Sequence, residues 1–181
     1  MKNFIIAALI TFVSPSLAFG CEEMWFVRNL IFDRAGYCFN SPLGQAVFDN
    51  SDCQTGVQIE LEPIDAEVVA MIRSNEAAGG CSINTNQTNL EFSYFNSFYQ
   101  KFEQLPVPDS VQSSCIGYNG AAIPVYSSPN SNALAIGFIN SGDNIAFQWD
   151  DPIAGWSFVA SNKTAGWISD DITYKCEMIA G

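Results

Sequence analysis

The spacing of apolar residues changes once along the chain, close to residue 105. Before this point, apolar side chains recur every three or four residues, which is the spacing of one helix face. Residues 21–36 carry Trp25 and Ile31 in this way. Glu22 and Glu23 fall in the first turn of this predicted helix, where the helix dipole favours acidic side chains. The pattern therefore predicts an amphipathic helix over residues 21–36.

Three further helices are predicted before residue 105. The first helix ends at Gly36, and the second begins at Pro42, behind the capping hydroxyl of Ser41. A third begins at Pro63, and a fourth covers residues 90–104. The aromatic stripe of this fourth helix is more typical of a protein core than of a ligand site. It comprises Phe92, Phe95, Tyr99 and Phe102.

Beyond Leu105, two prolines prevent a helix from continuing, and the spacing of apolar residues falls towards two. Five short strands separated by turn residues are predicted, which is typical of a small barrel or sandwich. They cover residues 123–126, 133–138, 144–149, 156–160 and 166–168. The predicted fold class is α+β. Its expected parts are a disulfide-stapled helical module over residues 21–104, a linker over 105–117, and a small β-barrel over 118–176.

The first twenty residues have the pattern of a secretory signal peptide. Lys2 precedes a run over residues 4–13 that is apolar except for Thr11, and small residues follow it. The run is too short to span a bilayer. Cleavage is expected after Ala18 or Gly20, and the mature protein is expected in the periplasm or outside the cell, with no membrane span.

All six cysteines follow the predicted signal peptide, and an even number suits three disulfides in an oxidising compartment. Spacing alone leaves fifteen pairings open. One favoured pair brackets the C-terminal segment and another closes a short loop, which leaves the last two cysteines for each other. The favoured pairs are Cys115–Cys176, Cys38–Cys53 and Cys21–Cys81. A lipid anchor at Cys21 is not expected, because it would leave one thiol unpaired.

Charge and composition exclude several classes of function. The net charge of −12 would repel a phosphate backbone, so a nucleic-acid partner is not expected. The chain contains no histidine, and its cysteines lack the paired spacing of metal ligands, so neither a metal nor a cofactor is expected. A calcium loop around Asp143 or Asp150 would need a motif that is absent, and these acids are typical of turns. A hydrolase that uses two carboxylates stays open.

Two resemblances refine this interpretation. Residues 118–174 resemble the bacterial SH3-like (SH3b) family through an opening Val125 to Pro129 segment, Ile136-Gly137, Gly142-Asp143, and two Gly-Trp pairs, Gly155-Trp156 and Gly166-Trp167. Tyr126 departs from the arginine that is usual there. The resemblance implies a small SH3-like barrel, and members of that family often bind cell-wall peptides or glycans.

The N-terminal segment, over about residues 21–60, resembles the YARHG domain, a module expected outside the bacterial cytoplasm. The matching positions of its core are Arg28, Asn29, Ile31, Phe32, Arg34, Gly36 and Phe39. Asp33 and Ala35 replace the alanine and histidine of the domain's name. Together, the two modules resemble a family of secreted alphaproteobacterial proteins, and neither resemblance implies catalytic residues.

The candidate ligand-binding residues are arginines and aromatic side chains. Arg28 and Arg34 could grip a carboxylate through the guanidinium fork, but the favoured interpretation is a structural role in which they bind acidic side chains or loop carbonyls of the protein itself. The remaining candidates could line a groove for a sugar or peptide. They are Tyr126, Trp149, Asp150 and Trp156. The predicted function is noncatalytic binding of peptidoglycan or an envelope protein. The alternatives are a carboxylate-dependent glycan hydrolase and a scaffold or inhibitor-like protein.

Overall fold

The computed structural model describes residues 15–169 and 175–181 of the chain. Four helices come first: α1 (Pro15–Arg34), α2 (Pro42–Val47), α3 (Pro63–Ala78) and α4 (Phe95–Tyr99). Seven strands follow: β1 (Val107–Tyr118), β2 (Ile123–Tyr126), β3 (Ala135–Ile139), β4 (Ile145–Asp150), β5 (Ser157–Ser161), β6 (Ala165–Ile168) and β7 (Cys176–Ala180). The mixed class of helices followed by antiparallel strands is confirmed. Of the predicted signal peptide, residues 1–14 lie outside the described part of the chain.

Local chemistry explains where the first helices begin and end. Helix α1 ends as predicted at Gly36, whose φ of +85° allows the Tyr37 amide to donate to the Phe32 carbonyl at 2.9 Å. Helix α2 begins as predicted, because the Ser41 hydroxyl accepts from the Gly44 amide at 3.1 Å. One boundary differs from the prediction: α1 begins at Pro15, so the acids that were assigned to its first turn lie well inside it.

The fourth helix is much shorter than predicted. Residues 90–104 were expected to be helical, but only Phe95–Tyr99 form a helix. Serine and asparagine around this turn favour turns over helices. The aromatic stripe is nevertheless core: Phe95, Tyr99 and Phe102 are buried, and the Phe102 amide donates to the Tyr99 carbonyl at 3.2 Å in a tight turn.

The strands form one antiparallel, seven-stranded sheet in the order β3-β2-β6-β5-β4-β1-β7. The sheet is open, with β3 and β7 at its edges, so the described strands do not close the barrel that was expected. Strand β1 lies between β4 and β7 and occupies most of residues 105–117, which were assigned to a linker. Both β1 and β7 were missed.

One hydrophobic core joins the helices to a face of the sheet. Phe102 contacts Phe158 edge to face at 4.8 Å, and Phe158 contacts Trp167 and Trp149 in the same way at 5.4 and 4.8 Å. These rings belong to the same buried cluster as Phe26 of α1. Such edge-to-face pairs add to the stabilisation from burying apolar area. The helical part therefore packs directly on strands β5 and β6.

Three disulfides connect Cys21 with Cys81, Cys38 with Cys53, and Cys115 with Cys176. These are the pairs that the sequence analysis favoured. The first ties α1 to the segment after α3, and the third holds the edge strand β7 against β1. The second closes a loop between α1 and α3, and a groove lies beside it.

Candidate functional site

The two candidate arginines are both engaged inside the protein. Arg28 forms a bidentate pair with Glu76 of α3 at 3.0–3.1 Å, and the side chains of the two are 20% and 17% exposed. Arg34 donates to the backbone carbonyls of Tyr99 and Glu103, both at 3.3 Å. These contacts fix α1 to α3 and to the turn after α4. A ligand-binding role for either arginine stays a prediction.

Trp149 and Asp150 lie at the end of β4, where the sheet meets the helices. The indole N–H of Trp149 donates to the Tyr99 hydroxyl at 3.1 Å. One carboxylate oxygen of Asp150 accepts from the Asn75 side chain of α3 at 2.8 Å. Both candidate residues are half-buried and engaged in contacts between the sheet and the helices.

Tyr126 and Trp156 form a separate pair. Their rings meet edge to face at 5.8 Å, and both side chains are half-buried. Tyr126 ends β2 and Trp156 precedes β5, so two different strands position this pair. Of the six candidate ligand-binding residues, the structure brings these two together on a partly open surface.

A buried carboxyl group, which the sequence analysis did not single out, lies at the centre of the interface between helices and sheet. Glu23 is only 6% exposed and accepts a hydrogen bond from the Tyr99 hydroxyl, which in turn accepts from Trp149. Burial raises the pKa of Glu23 from 4.5 to about 7, an effect that the bond from Tyr99 partly offsets. The carboxyl is bonded within the core and offers no acid to a substrate in an open cleft.

A groove of the helical part lies beside the disulfide between Cys38 and Cys53. Its volume is about 430 Å³. We call it the disulfide groove, and its main lining residues are Phe32, Tyr37, Asn40, Gln54, Val57 and Ile59. Tyr37 is 41% exposed and Val57 is 58% exposed, so both present apolar surface to the solvent. The groove thus combines apolar walls with amide groups that can form hydrogen bonds.

Carboxylates border the disulfide groove. Burial, together with the nearby charges of Asp52 and Asp49, raises the pKa of Asp33 from 3.8 to about 6, while the charge of Arg34 lowers it. Asp33 follows the groove residue Phe32 in the chain, and Asp52 lies two residues before Gln54. The electrostatic environment at this rim is therefore negative.

A second, smaller cavity of about 220 Å³ lies between α1 and the residues before α4. Its apolar lining includes Phe26, Leu90 and Phe95, and Asn89 and Asn96 lie at its polar part. None of its lining side chains is charged. It could hold a small neutral apolar group.

Neither metal-binding clusters nor membrane spans are found in the part of the chain that the structure describes. Among residues 15–169 and 175–181, no group of three or more His, Cys, Asp or Glu side chains is placed to hold a metal ion. Within the same residues, no helix combines the length and apolar character needed to cross a membrane.

Comparison with protein families assigns both halves of the sequence. A family model described as the YARHG domain matches residues 3–77, which confirms the predicted YARHG resemblance and extends it beyond residues 21–60. Together with the disulfides, this match is consistent with an extracellular or periplasmic location. A comparison with curated proteins found no match, and neither did a comparison with solved structures.

A second family model, described as a domain of unknown function (DUF4453), matches residues 80–181. It covers the region whose residues resemble the bacterial SH3-like family, and that resemblance stays a prediction. Because this match spans more than half of the sequence, the chain belongs to the DUF4453 family.

Proposed function

We propose that this protein is a noncatalytic binding module of the cell envelope and that it recognises another envelope protein through the disulfide groove. The observation that carries the proposal is a disulfide-linked groove with exposed apolar walls. Tyr37 and Val57 both line it, and in the sequence Tyr37 precedes Cys38 while Val57 follows Cys53. Exposed aromatic side chains in a concave surface are typical of interfaces between proteins.

A photo-reactive phenylalanine derivative placed at Val57 tests this proposal. The full disulfide-bonded protein is irradiated in envelope extracts of its native host, and adducts are identified by mass spectrometry. The matched control carries the same group at Glu177, which is exposed on the edge strand β7. A defined adduct at position 57 that is absent at position 177 supports the proposal. Equal or absent labelling at the two positions would refute it.

A second candidate function, binding of peptidoglycan, is favoured by the aromatic pair of Tyr126 and Trp156. Flat rings can cover the apolar face of a sugar. In a pull-down on purified sacculi, the wild type should be retained and a Y126A/W156A variant should be lost if this candidate is right. Zymography on the same sacculi tests the remaining alternative, a carboxylate-dependent hydrolase, which would clear the gel. This second candidate function includes the proposal that residues 118–176 form a small SH3-like domain.

A further inference from the structure

The disulfide groove is held open by contacts that do not depend on a ligand. The Cys38–Cys53 bond connects its two sides, and the backbone N–H of Gln54 donates to the Gly36 carbonyl at 2.8 Å. Beside it, the Asn50 side chain donates to the Phe39 carbonyl at 2.8 Å and accepts from the backbone N–H of Phe39 at 3.0 Å. A groove that is ordered before binding loses little conformational entropy when a partner arrives.

The apolar wall of this groove is fixed in the same way. Tyr37 contacts Phe32 edge to face at 5.9 Å and Phe39 at 5.0 Å. These two rings fix its position, while part of its side chain remains exposed to solvent. Val57 supplies an aliphatic surface across the groove. These walls suit an apolar side chain of a partner.

The charges around the groove specify a second property of that partner. Burial raises the pKa of Asp33, and the nearby charges of Asp52 and Asp49 raise it as well, which places three carboxylates close together at this end of the groove. Among the basic residues, Arg34 is turned to the carbonyls of Tyr99 and Glu103, so it does not neutralise them through a hydrogen bond. An added positive charge would relieve this repulsion.

One guanidinium group of the protein already shows how this wall receives a cation. The Arg73 group lies 5.9 Å from the centre of the Phe32 ring, in the range of a cation–π contact. The aromatic side chain at this end of the groove is therefore compatible with a neighbouring cation.

We infer that the disulfide groove binds a basic protein segment in which a Lys or Arg lies next to an apolar side chain. The apolar side chain packs against Tyr37 and Val57, and the cation lies at the rim formed by Asp33 and Asp52. This inference rests on the proposed function and specifies its partner. Complementary charge favours encounter with such a segment over acidic or neutral ones.

Peptide titrations test the inference on the full disulfide-bonded protein. The probes are three acetylated, amidated peptides in a Gly-Ser background, with central sequences Lys-Leu-Lys, Ser-Leu-Ser and Lys-Ser-Lys. Binding is followed by NMR chemical shifts of the backbone amides. The Lys-Leu-Lys peptide should bind about ten-fold more tightly than either other peptide, since each lacks one of the two interactions. Its shifts should be confined to residues 32–40 and 49–59.

Variants separate groove binding from the general attraction of an acidic protein for bases. D33N/D52N and Y37A should each weaken Lys-Leu-Lys binding by about ten-fold. E177Q, which removes a charge on β7, should leave it unchanged. Lowering the pH through the pKa of Asp33, about 6, should weaken wild-type binding, because protonation removes a rim charge. Circular dichroism checks that every variant keeps its fold.

Each outcome has a defined meaning. Equal affinity for the three peptides, shifts spread over the sheet, or equal weakening by E177Q would overturn the inference. If the cross-link at position 57 forms while the Lys-Leu-Lys peptide binds no better than Ser-Leu-Ser, the basic partner is wrong and the proposed function stands. If neither the cross-link nor peptide binding is observed, both fail.

Discussion

Ionisation of Glu23 should make the protein less stable as the pH rises. The carboxyl is buried against Tyr99, and its pKa is raised from 4.5 to about 7 by burial. At low pH it is protonated in both the folded and the unfolded protein, so its burial has no ionisation cost. Between pH 4.5 and about 7 the unfolded chain ionises first, and the folded state loses stability. This pKa rise corresponds to a loss of about 3 kcal/mol, complete above pH 7.

The variant E23Q isolates this effect because its amide stays neutral while keeping an oxygen that can accept from Tyr99. Urea unfolding, followed by tryptophan fluorescence with the disulfides intact, gives the free energy of unfolding from about pH 4 to about pH 8. The free energy of the wild type relative to E23Q should fall by about 3 kcal/mol over this range. E67Q, on the exposed side of α3, is the matched control. Parallel curves for the wild type and E23Q would refute the reasoning.

Three further perturbations test contacts that hold the fold together. R28A leaves Glu76 half-buried without its partner and should lower the free energy of urea unfolding by about 1–3 kcal/mol. The double variant R28A/E76A should recover part of this loss, because the unpaired carboxylate is then removed as well. F158A removes the ring that joins helices and sheet and should cost about 3–5 kcal/mol in the same measurement, with one cooperative transition retained. C38S/C53S releases a loop with a sequence separation of 15 and should lower the free energy of unfolding, measured by calorimetry, by about 3 kcal/mol. Removal of the Cys115–Cys176 bond should cause a larger loss in the same measurement.

The strands that the sequence predicted are those with short apolar runs between turns, and the two that it missed lack this pattern. Strand β1 contains Pro108 and a polar stretch, which argue against a strand inside a sheet. The structure accommodates the proline at a register irregularity between Pro108 and Ser113. Strand β7 pairs on one side only and begins at the disulfide cysteine Cys176. Tertiary contacts, rather than local pattern, place both strands.

The candidate site was predictable only in its residue types. Arginine and tryptophan were chosen for what their side chains can bind, but Arg28 and Trp149 find partners inside the protein that are 48 and 50 residues away in sequence. The disulfide groove forms where Tyr37 and Val57 approach across the Cys38–Cys53 bond, and neither residue carries a motif. Glu23 was assigned to a first turn because the start of α1 was placed too late. Its spacing from Phe26 and Leu30 was the available signal that it faces the core.

The boundary between the two family matches is not a boundary in the core. The YARHG match ends at residue 77 and the DUF4453 match begins at residue 80, yet the Cys21–Cys81 disulfide joins one to the other. The Tyr99 hydroxyl reaches Glu23 on one side and Trp149 on the other, so helix α1, the turn at α4 and strand β4 share one polar network inside one apolar cluster. A partner seated in the disulfide groove would contact residues next to the C-terminal end of α1, whose other face is packed on the DUF4453 region. The two matched regions therefore share one hydrophobic cluster, and α1 takes part in both its apolar and its polar contacts.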